Sequence, residues 1–270
     1  MNAIQPSANT GALVLKVEED AGVVLATLNR PEKANALSRP VIAALDDLVT
    51  RVEDGWWDGH RVRCLIVTAN GGRAFSAGAD ITELDGIEPG AAVRQMHAGQ
   101  QVFSRLENLP VPVISAIEGV ALGGGLELAM ATDLRVASPR ARFGQAEITL
   151  ENLPGWGGTQ RLVTIVGRTR ATELILTGRV IDAAEAAAIG LVNEITDNPL
   201  QRALELARII ADRSPVAIAG AKRAILAGIY GGIDYGLRVE ADAVGQCCAT
   251  SEQRAAVRHF LGRRDADQPR

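Results

Sequence analysis

Two glutamates, Glu127 and Glu147, stand twenty positions apart, and each follows a glycine-bearing turn in an apolar setting. Glu127 comes after the three consecutive glycines at 123–125, and Glu147 comes after Gly144-Gln145-Ala146. Two carboxylates that converge in one pocket can move a proton and activate a water molecule. Each acid also has a plainer role, Glu127 as a helix residue satisfied by backbone groups and Glu147 as a cap at a strand end.

The glycines at 123–125 lie between a predicted strand and turn at 114–120 and a predicted helix at 126–131. The first N–H groups of a helix lack partners within it, so this helix start is suited to an anion. Close packing of the helix on the strand is the alternative reason for the glycines. The spacing matches neither a dinucleotide-binding loop nor a phosphate loop.

A second turn of small residues runs from Ser76 to Asp80 and would let a ligand approach the main chain closely. The alternative interpretation of this segment is a surface loop in which Asp80 caps a helix. Ser76 lacks the Gly-x-Ser-x-Gly pattern of a serine hydrolase, and the three histidines show no triad arrangement. Histidines and cysteines also lack metal-ligand spacing, so we expect no metal.

The composition limits the class of protein. A chain of 270 residues with 47% hydrophobic content can bury a large core. A net charge of −4 and 3% aromatic residues do not favour nucleic-acid binding. The polar segment 1–10 does not resemble a signal peptide, and no later segment resembles a membrane span. Three cysteines form an odd, sparse set that is typical of a reducing compartment, so we predict a cytoplasmic protein. The lack of a membrane span predicts no membrane contact.

Short β-rich segments alternate with helical periods, which predicts an α/β fold. We expect a hairpin of Leu13–Val17 and Val23–Leu28, and further strands at Cys64–Thr68, Val113–Ile117, Leu134–Ala137 and Leu191–Ile195. Helices are expected at 41–52, 92–109, 171–176 and 183–189. Strand patterns stop near residue 199, which predicts a core at 1–199 and a helical region at 200–270.

Five motifs occur in an order that is specific in combination. They are Leu28-Asn29-Arg30-Pro31 with Asn35-Ala36-Leu37, the segment 75–81, the segment 118–128, Phe143-Gly144-Gln145-Ala146-Glu147, and the segment 153–162. With these motifs the chain resembles the enoyl-CoA hydratase, or crotonase, family over nearly its whole length. The resemblance implies a crotonase-like spiral of ββα repeats followed by a C-terminal helical trimerisation region. It also implies a homotrimer or a hexamer made as a dimer of trimers.

The resemblance further implies an acyl-CoA thioester substrate and no cofactor, since coenzyme A is part of the substrate. It assigns the oxyanion hole to the backbone N–H groups of Ala79 and Gly124, and the catalytic carboxylates to Glu127 and Glu147. The implied reaction adds water to a 2-enoyl-CoA and gives a 3-hydroxyacyl-CoA. We expect Glu127 chiefly to activate water and Glu147 chiefly to deliver the proton.

Retention of both carboxylates favours hydration over isomerisation within the family. An enoyl-CoA isomerase, another acyl-CoA enzyme of the family and a binding or scaffolding subunit stay open as alternatives. Residues expected to contact the substrate or its CoA are Lys33, Ala34, Ala77, Asp80, Ile81, Gly155, Trp156, Phe260 and Arg263. Two roles stay open for Trp156, narrowing the acyl pocket or packing beneath the glycine turn. Arg263 either binds a CoA phosphate or is solvated.

Overall fold

The computed structural model describes residues 13–18, 22–57 and 59–266, with side chains at 22–55, 59 and 61–262. The chain begins with an antiparallel hairpin of β1 (Leu13–Glu18) and β2 (Val23–Leu28). This confirms the predicted hairpin, although Asp20 and Ala21 of its turn lie outside the described residues. Gly22 takes a left-handed φ of 64° at the end of the turn, a conformation that glycine adopts without steric cost.

Further strands, most of them short, follow along the chain. They are β3 (Trp56–Trp57), β4 (His60–Arg61), β5 (Cys64–Ala69), β6 (Ala74–Ser76), β7 (Val113–Ile117), β8 (Val120–Leu122), β9 (Leu134–Ala137), β10 (Arg142–Gly144), β11 (Ile181–Asp182) and β12 (Glu194–Ile195). The helices are α1 (Arg39–Glu53), α2 (Pro89–Glu107), α3 (Gly124–Met130), α4 (Gly158–Thr177), α5 (Ala183–Ala188), α6 (Pro199–Ala211), α7 (Pro215–Gly231), α8 (Ile233–Cys248) and α9 (Ser251–Ala266).

Two sheets organise the core. The larger has the order β1-β2-β5-β7-β9-β12, parallel from β2 onward, and the smaller has the order β11-β10-β8-β6. Each repeat adds one strand to the larger sheet, one short strand to the smaller sheet and then a helix, as in β5-β6-α2, β7-β8-α3 and β9-β10-α4. The predicted α/β spiral of ββα repeats is confirmed.

The smaller sheet brings three turns to one edge. Its strands β6, β8 and β10 are parallel neighbours, with Ser76 paired to Ala121 and Gly144 paired to Leu122. Because parallel strands end at the same edge of a sheet, the segments that follow them must lie side by side. These segments start at positions 77, 123 and 145, and they contain the residues singled out by the sequence.

Apolar side chains fill the space between the layers. The larger cluster contains the fully buried Phe75, Phe103 and Phe143, while α6 packs Ala203 and Ala207 on the other side of the larger sheet. Helix α6 therefore covers the sheet, although it follows the division predicted near residue 199. That division stays a prediction. Helices α7 and α8 pack chiefly against each other, and α9 packs chiefly against α8.

Some element bounds differ from the predictions. The strand predicted at Leu191–Ile195 is reduced to β12, because the N–H groups of Leu191 and Val192 turn back to the carbonyl of Ala186. The helix predicted at 171–176 begins at Gly158 and is interrupted at Gly167, whose φ is 78°. Among the described helices, none combines the length and the apolar character needed to cross a membrane.

Candidate active site

Glu127 lies in the first turn of α3 and is only 1% exposed. Its Oε1 accepts hydrogen bonds from the N–H groups of Trp156 and Gly158, each at 2.7 Å. The pKa of Glu127 is raised to about 7: burial is the main cause and the negative charge of Glu147 adds to it, while the two N–H groups and the charge of Arg161 partly oppose the rise. The carboxyl group is thus held in one orientation and titrates near neutrality.

Glu147 begins the short 3-10 turn Glu147–Leu150, separated by two residues from Gly144, the last residue of β10. Its carboxylate lies over Gly123, because a β-carbon placed on that glycine would be 2.7 Å from Oε1. Burial raises the pKa of Glu147 as well. Since Gly123 immediately precedes the helix that carries Glu127, the two carboxylates flank one turn. They are close enough for Glu147 to affect the ionisation of Glu127.

Two main-chain N–H groups meet beside this turn. A β-carbon placed on Gly124 would lie 3.3 Å from the nitrogen of Ala79, and one placed on Gly78 would lie 3.4 Å from the nitrogen of Gly124. The N–H of Leu37 donates to the carbonyl of Gly78, and the carbonyl of Leu37 accepts from the N–H of Asp80. The main-chain groups on either side of Ala79 are therefore already hydrogen-bonded. Within the described residues, the N–H groups of Ala79 and Gly124 have no acceptor. Together they form a pair of donors suited to a carbonyl oxygen.

Gly78 must be glycine for two reasons. Its φ of 104° is one that other residues rarely adopt, and a β-carbon there would lie 2.9 Å from the carbonyl oxygen of Leu122. Gly124 is constrained differently, since a β-carbon there would lie 2.6 Å from Cζ3 of Trp156. The small residues of both turns therefore allow the main chain after β6 to approach the main chain after β8 closely.

The indole of Trp156 packs beneath the glycine turn and is 2% exposed. It extends from Gly124 to Gly99 of α2 and meets Phe103 edge to face, with ring centroids 5.6 Å apart. A cavity of about 860 Å³ lies between α1 and α2, and Trp156 forms part of its wall. Apolar residues of that wall include Leu37, Ile42, Ala91, Ala98 and Val102. Trp156 thus lies between the pair of N–H groups and this cavity.

The segments predicted to contact CoA adjoin one another. The N–H of Ala77 donates to the carbonyl of Ala34 at 3.0 Å, which joins the turn after β6 to the segment after β2. Lys33 is exposed, and Ile81 is 60% exposed although it is apolar. These residues form a continuous rim beside Ala79. Their contact with CoA stays a prediction.

Asp80 pairs with Arg30 at 3.2 Å and accepts a hydrogen bond from Thr82 at 2.7 Å. The bond from Thr82, followed by that from Arg30, lowers the pKa of Asp80. Beside them the buried Asn35 accepts from the N–H of Arg30 and donates to the carbonyls of Asn70 and Ala74. The ionised carboxylate of Asp80 therefore stabilises the rim through Arg30 and Thr82.

Gly155 lies on the opposite side, where Gln100 of α2 donates to its carbonyl at 2.8 Å and a β-carbon would collide with Met96. Phe260 is 61% exposed on α9, and the packing of that helix on α8 does not by itself bring Phe260 to the glutamates. The backbone of Arg263 belongs to α9, but its side chain lies outside the described part of the chain.

Two buried polar residues near the glutamates had no role in the sequence analysis. Gln145 is 1% exposed, and its amide nitrogen, when oriented toward Glu147, donates to both carboxylate oxygens at 3.1 Å. Arg161 is 7% exposed and donates to the carbonyl of Trp156 at 3.0 Å. The sequence did contain a signal for the role of Arg161, namely an arginine within an apolar, glycine-rich motif. A buried guanidinium requires an acidic partner. Its partner, Glu107, is 54 positions away.

The described residues contain no cluster of three or more histidine, cysteine, aspartate or glutamate side chains arranged to hold a metal ion.

Comparison with known proteins adds independent support. Residues 18–268 match the family model described as enoyl-CoA hydratase/isomerase. The short-chain-enoyl-CoA hydratase of Clostridium acetobutylicum is 40% identical over 92% of this chain and 94% of its own length. The crotonyl-CoA hydratase of Syntrophomonas wolfei is 39% identical over 94% of this chain and 96% of its own.

Solved structures agree. The crystal structure of an enoyl-CoA hydratase from Bacillus anthracis superimposes with a TM-score of 0.87 at 36% identity, covering 93% of this chain and 96% of that one. A family model that spans nearly the whole chain, relatives of similar length and a shared fold all agree with the five motifs. The chain belongs to the enoyl-CoA hydratase/isomerase family.

Proposed function

We propose that this protein is an enoyl-CoA hydratase that adds water across the 2,3 double bond of a 2-enoyl-CoA and forms a 3-hydroxyacyl-CoA. The observation that carries the proposal is the arrangement of four groups around one turn. The carboxylates of Glu127 and Glu147 flank it, and the N–H groups of Ala79 and Gly124 meet beside it. The names of the relatives support the same reaction.

The N–H pair receives the thioester oxygen of the substrate. When water adds at Cβ, electron density moves through Cα to this oxygen, which becomes enolate-like. Donors held in place before the charge develops stabilise the transition state more than the ground state. Loss of one such donor typically costs roughly 3 to 4 kcal/mol.

The two carboxyl groups hold the water and transfer the protons. In the reactive form of the pair the single proton lies on Glu147: ionised Glu127 takes a proton from water as its oxygen bonds to Cβ, and Glu147 gives its proton to Cα. The raised pKa of Glu127 describes the other form, in which Glu147 is ionised and the proton lies on Glu127. Burial raises both pKa values, and mutual repulsion favours one shared proton near neutrality. The division of roles between the two acids is part of the proposal.

The position of Trp156 limits the length of the acyl chain that the site accepts. Because its indole lies between Gly124 and Gly99, it closes the path from the reacting carbonyl to the cavity between α1 and α2. A short 2-enoyl group fits in front of this wall. Two relatives are named for short-chain and crotonyl substrates, which supports this choice.

The CoA portion would lie along the rim of Lys33, Ala34, Ala77 and Ile81, with Phe260 and Arg263 reaching it from a neighbouring copy of the chain. That placement requires assembly through the C-terminal helices, as a trimer or a hexamer. The chemistry needs only the two carboxyl groups, the main-chain N–H pair, water and the CoA ester, so no separate cofactor is proposed. We also propose a cytoplasmic location, which the small, odd number of cysteines supports.

The test follows the absorbance of the conjugated enoyl thioester after purified protein is added to crotonyl-CoA. The absorbance is expected to fall as water adds. Glu127→Gln and Glu147→Gln should each lower kcat roughly 10²- to 10⁴-fold, because each removes a group that transfers protons. Glu151→Gln is the matched control, since Glu151 is exposed at the end of the same 3-10 turn.

Unchanged turnover of both glutamate variants would contradict the mechanism. Wild-type protein that leaves crotonyl-CoA intact but produces conjugated absorbance from a 3-enoyl-CoA would be an isomerase instead.

A further inference from the structure

The segment 155–158 holds Glu127 through two N–H groups, those of Trp156 and Gly158. The carbonyl of Trp156 accepts a hydrogen bond from Nη1 of Arg161 at 3.0 Å. One residue of this segment is thus bound on both sides of its main chain, by the candidate base through its N–H and by an arginine through its carbonyl. The position of the Trp156 main chain therefore depends on both Glu127 and Arg161.

Arg161 is buried and reaches several elements. Its Nε and Nη2 donate to Oε2 of Glu107 at 3.1 and 3.0 Å, and Nη2 also donates to the hydroxyl of Ser104 at 3.2 Å. Gly157, with a φ of 110°, leaves the room that this guanidinium occupies, since a β-carbon there would collide with Nη1. The planar fork of arginine can bind acceptors on α2 and on the loop together, which a lysine ammonium on one flexible stem cannot reproduce.

Glu107 extends the series of contacts to the helical region. Its other oxygen, Oε1, accepts a hydrogen bond of 2.7 Å from the hydroxyl of Tyr230, near the end of α7. Contacts therefore run without interruption from Tyr230 through Glu107, Arg161 and the main chain of Trp156 to Glu127. They connect a C-terminal helix with the candidate base.

We propose that Arg161 is the positioning residue of the Glu127 carboxylate: it fixes the main chain of Trp156 and is itself held by Glu107, which Tyr230 of α7 binds. The proposal rests on the proposed function and names a residue that acts through the loop without touching the substrate. Small displacements of a catalytic group lower the rate steeply, by up to about 100-fold for 1 Å.

The charged groups that act on Glu127 are Glu147 and Arg161. The negative charge of Glu147 raises the pKa of Glu127, and the positive charge of Arg161 lowers it. Two substitutions separate position from charge. Arg161→Lys keeps the charge and loses the fork, whereas Arg161→Gln loses both.

The first experiment measures crotonyl-CoA hydration against pH. Both Arg161 variants should lose roughly 10- to 100-fold in kcat, with KM within about twofold of wild type. The acid limb of kcat/KM should move to higher pH only in Arg161→Gln, because only that variant removes the cation. Tyr230→Phe, which leaves the core intact, should lower kcat by a smaller factor without moving the limb.

Arg135→Lys is the matched control for lost stability. Arg135 is also buried, and it donates to the carbonyls of Thr132 and Leu191, away from the loop. It should lower the thermal midpoint and keep kcat and the acid limb of the folded enzyme. An equal loss of kcat in Arg135→Lys, or unchanged kcat in both Arg161 variants, would overturn the proposal.

A second measurement needs no turnover. Carbon-13-labelled glutamate reports the titration of Glu127 by NMR in the ligand-free protein, with Glu127→Gln to assign the resonance. Its midpoint should rise in Arg161→Gln and stay near the wild-type value in Arg161→Lys and Arg135→Lys. An unmoved midpoint in Arg161→Gln counts against the role of Arg161. A midpoint that moves in a protein unable to hydrate crotonyl-CoA counts against the proposed function alone.

Discussion

The carboxylate of Glu127 and the main-chain nitrogen of Trp156 lie 2.7 Å apart, so one residue orients the candidate base with its backbone and limits the cavity with its side chain. These two roles are separable, since the hydrogen bond does not use the indole. Substitution of the side chain should therefore alter the choice of substrate more than the chemistry.

Trp156→Ala is expected to extend the range of acyl chains. Removing the indole joins the space in front of Gly124 to the cavity of about 860 Å³ between α1 and α2. The ratio of kcat/KM for eight-carbon to four-carbon enoyl-CoA should rise roughly 10-fold or more, as about two buried methylenes contribute at least that much. Trp156→Phe, a smaller ring, should give an intermediate ratio.

Wild-type protein that turns over four-carbon and long-chain substrates equally would rule out narrowing by Trp156. The alanine variant also loses buried packing, at a typical cost of 3–5 kcal/mol. Its kinetics should therefore be measured well below its thermal midpoint.

Glu127 should make stability depend on pH. Its pKa of about 7 in the folded protein exceeds the ordinary value of 4.5, so the folded state retains a proton that the unfolded chain releases. This contribution to folding is complete below about pH 4.5 and is lost as the pH rises through about 7, a change of about 3 kcal/mol. The Glu127→Gln substitution removes this pH-dependent contribution to stability.

The measurement is urea unfolding of both proteins at a series of pH values. The free energy of unfolding of Glu127→Gln, relative to wild type, should increase between about pH 5 and pH 8. A constant difference would mean that Glu127 titrates normally. The exposed Glu151→Gln should show no such trend.

Gly124→Ala should impair the pair of N–H donors. The added methyl group would lie 2.6 Å from Cζ3 of Trp156 and 3.3 Å from the nitrogen of Ala79, so the turn must shift. We expect kcat to fall roughly 10²- to 10³-fold, the usual effect of losing one oxyanion donor. Gly245→Ala in α8, where a β-carbon meets nothing within 4 Å, is the control. Crotonyl-CoA hydration by Gly124→Ala at the wild-type rate would contradict the assignment.

Leu237→Asp should disrupt self-association. Helices α7 and α8 expose an apolar face, and a charge at its centre opposes burial against another copy. The face includes Ile225, Ile229, Ile233, Leu237 and Val244, which are 63%, 48%, 75%, 55% and 57% exposed. Sedimentation velocity should show a trimer or hexamer for wild type and smaller species for Leu237→Asp.

Ile209→Asp is the control for that experiment, because Ile209 is 50% exposed on α6, outside the α7–α8 face. An assembly that survives Leu237→Asp and dissociates with Ile209→Asp would place the interface elsewhere.

Local patterns were sufficient for much of the fold. Buried runs such as Val113–Ile117 predicted strands, and the helix predicted at 183–189 is present as α5, where the side chain of Asp182 accepts a hydrogen bond from the N–H of Glu185. The prediction for Leu191–Ile195 was too long because a turn back toward α5 competes with the strand. Apolar content cannot reveal that competition, since both arrangements bury the same side chains.

The sequence by itself determined the family, the α/β spiral and the two glutamates as candidates, because motifs and periodicity are local and survive without coordinates. Only the tertiary structure decided how Glu127 is held, by N–H groups 29 and 31 positions away, and that Glu107 and Arg161 meet across 54 positions. Such contacts depend on which strands become parallel neighbours. That pairing places the turns after β6, β8 and β10 at one edge, and the burial it creates raises the pKa of Glu127.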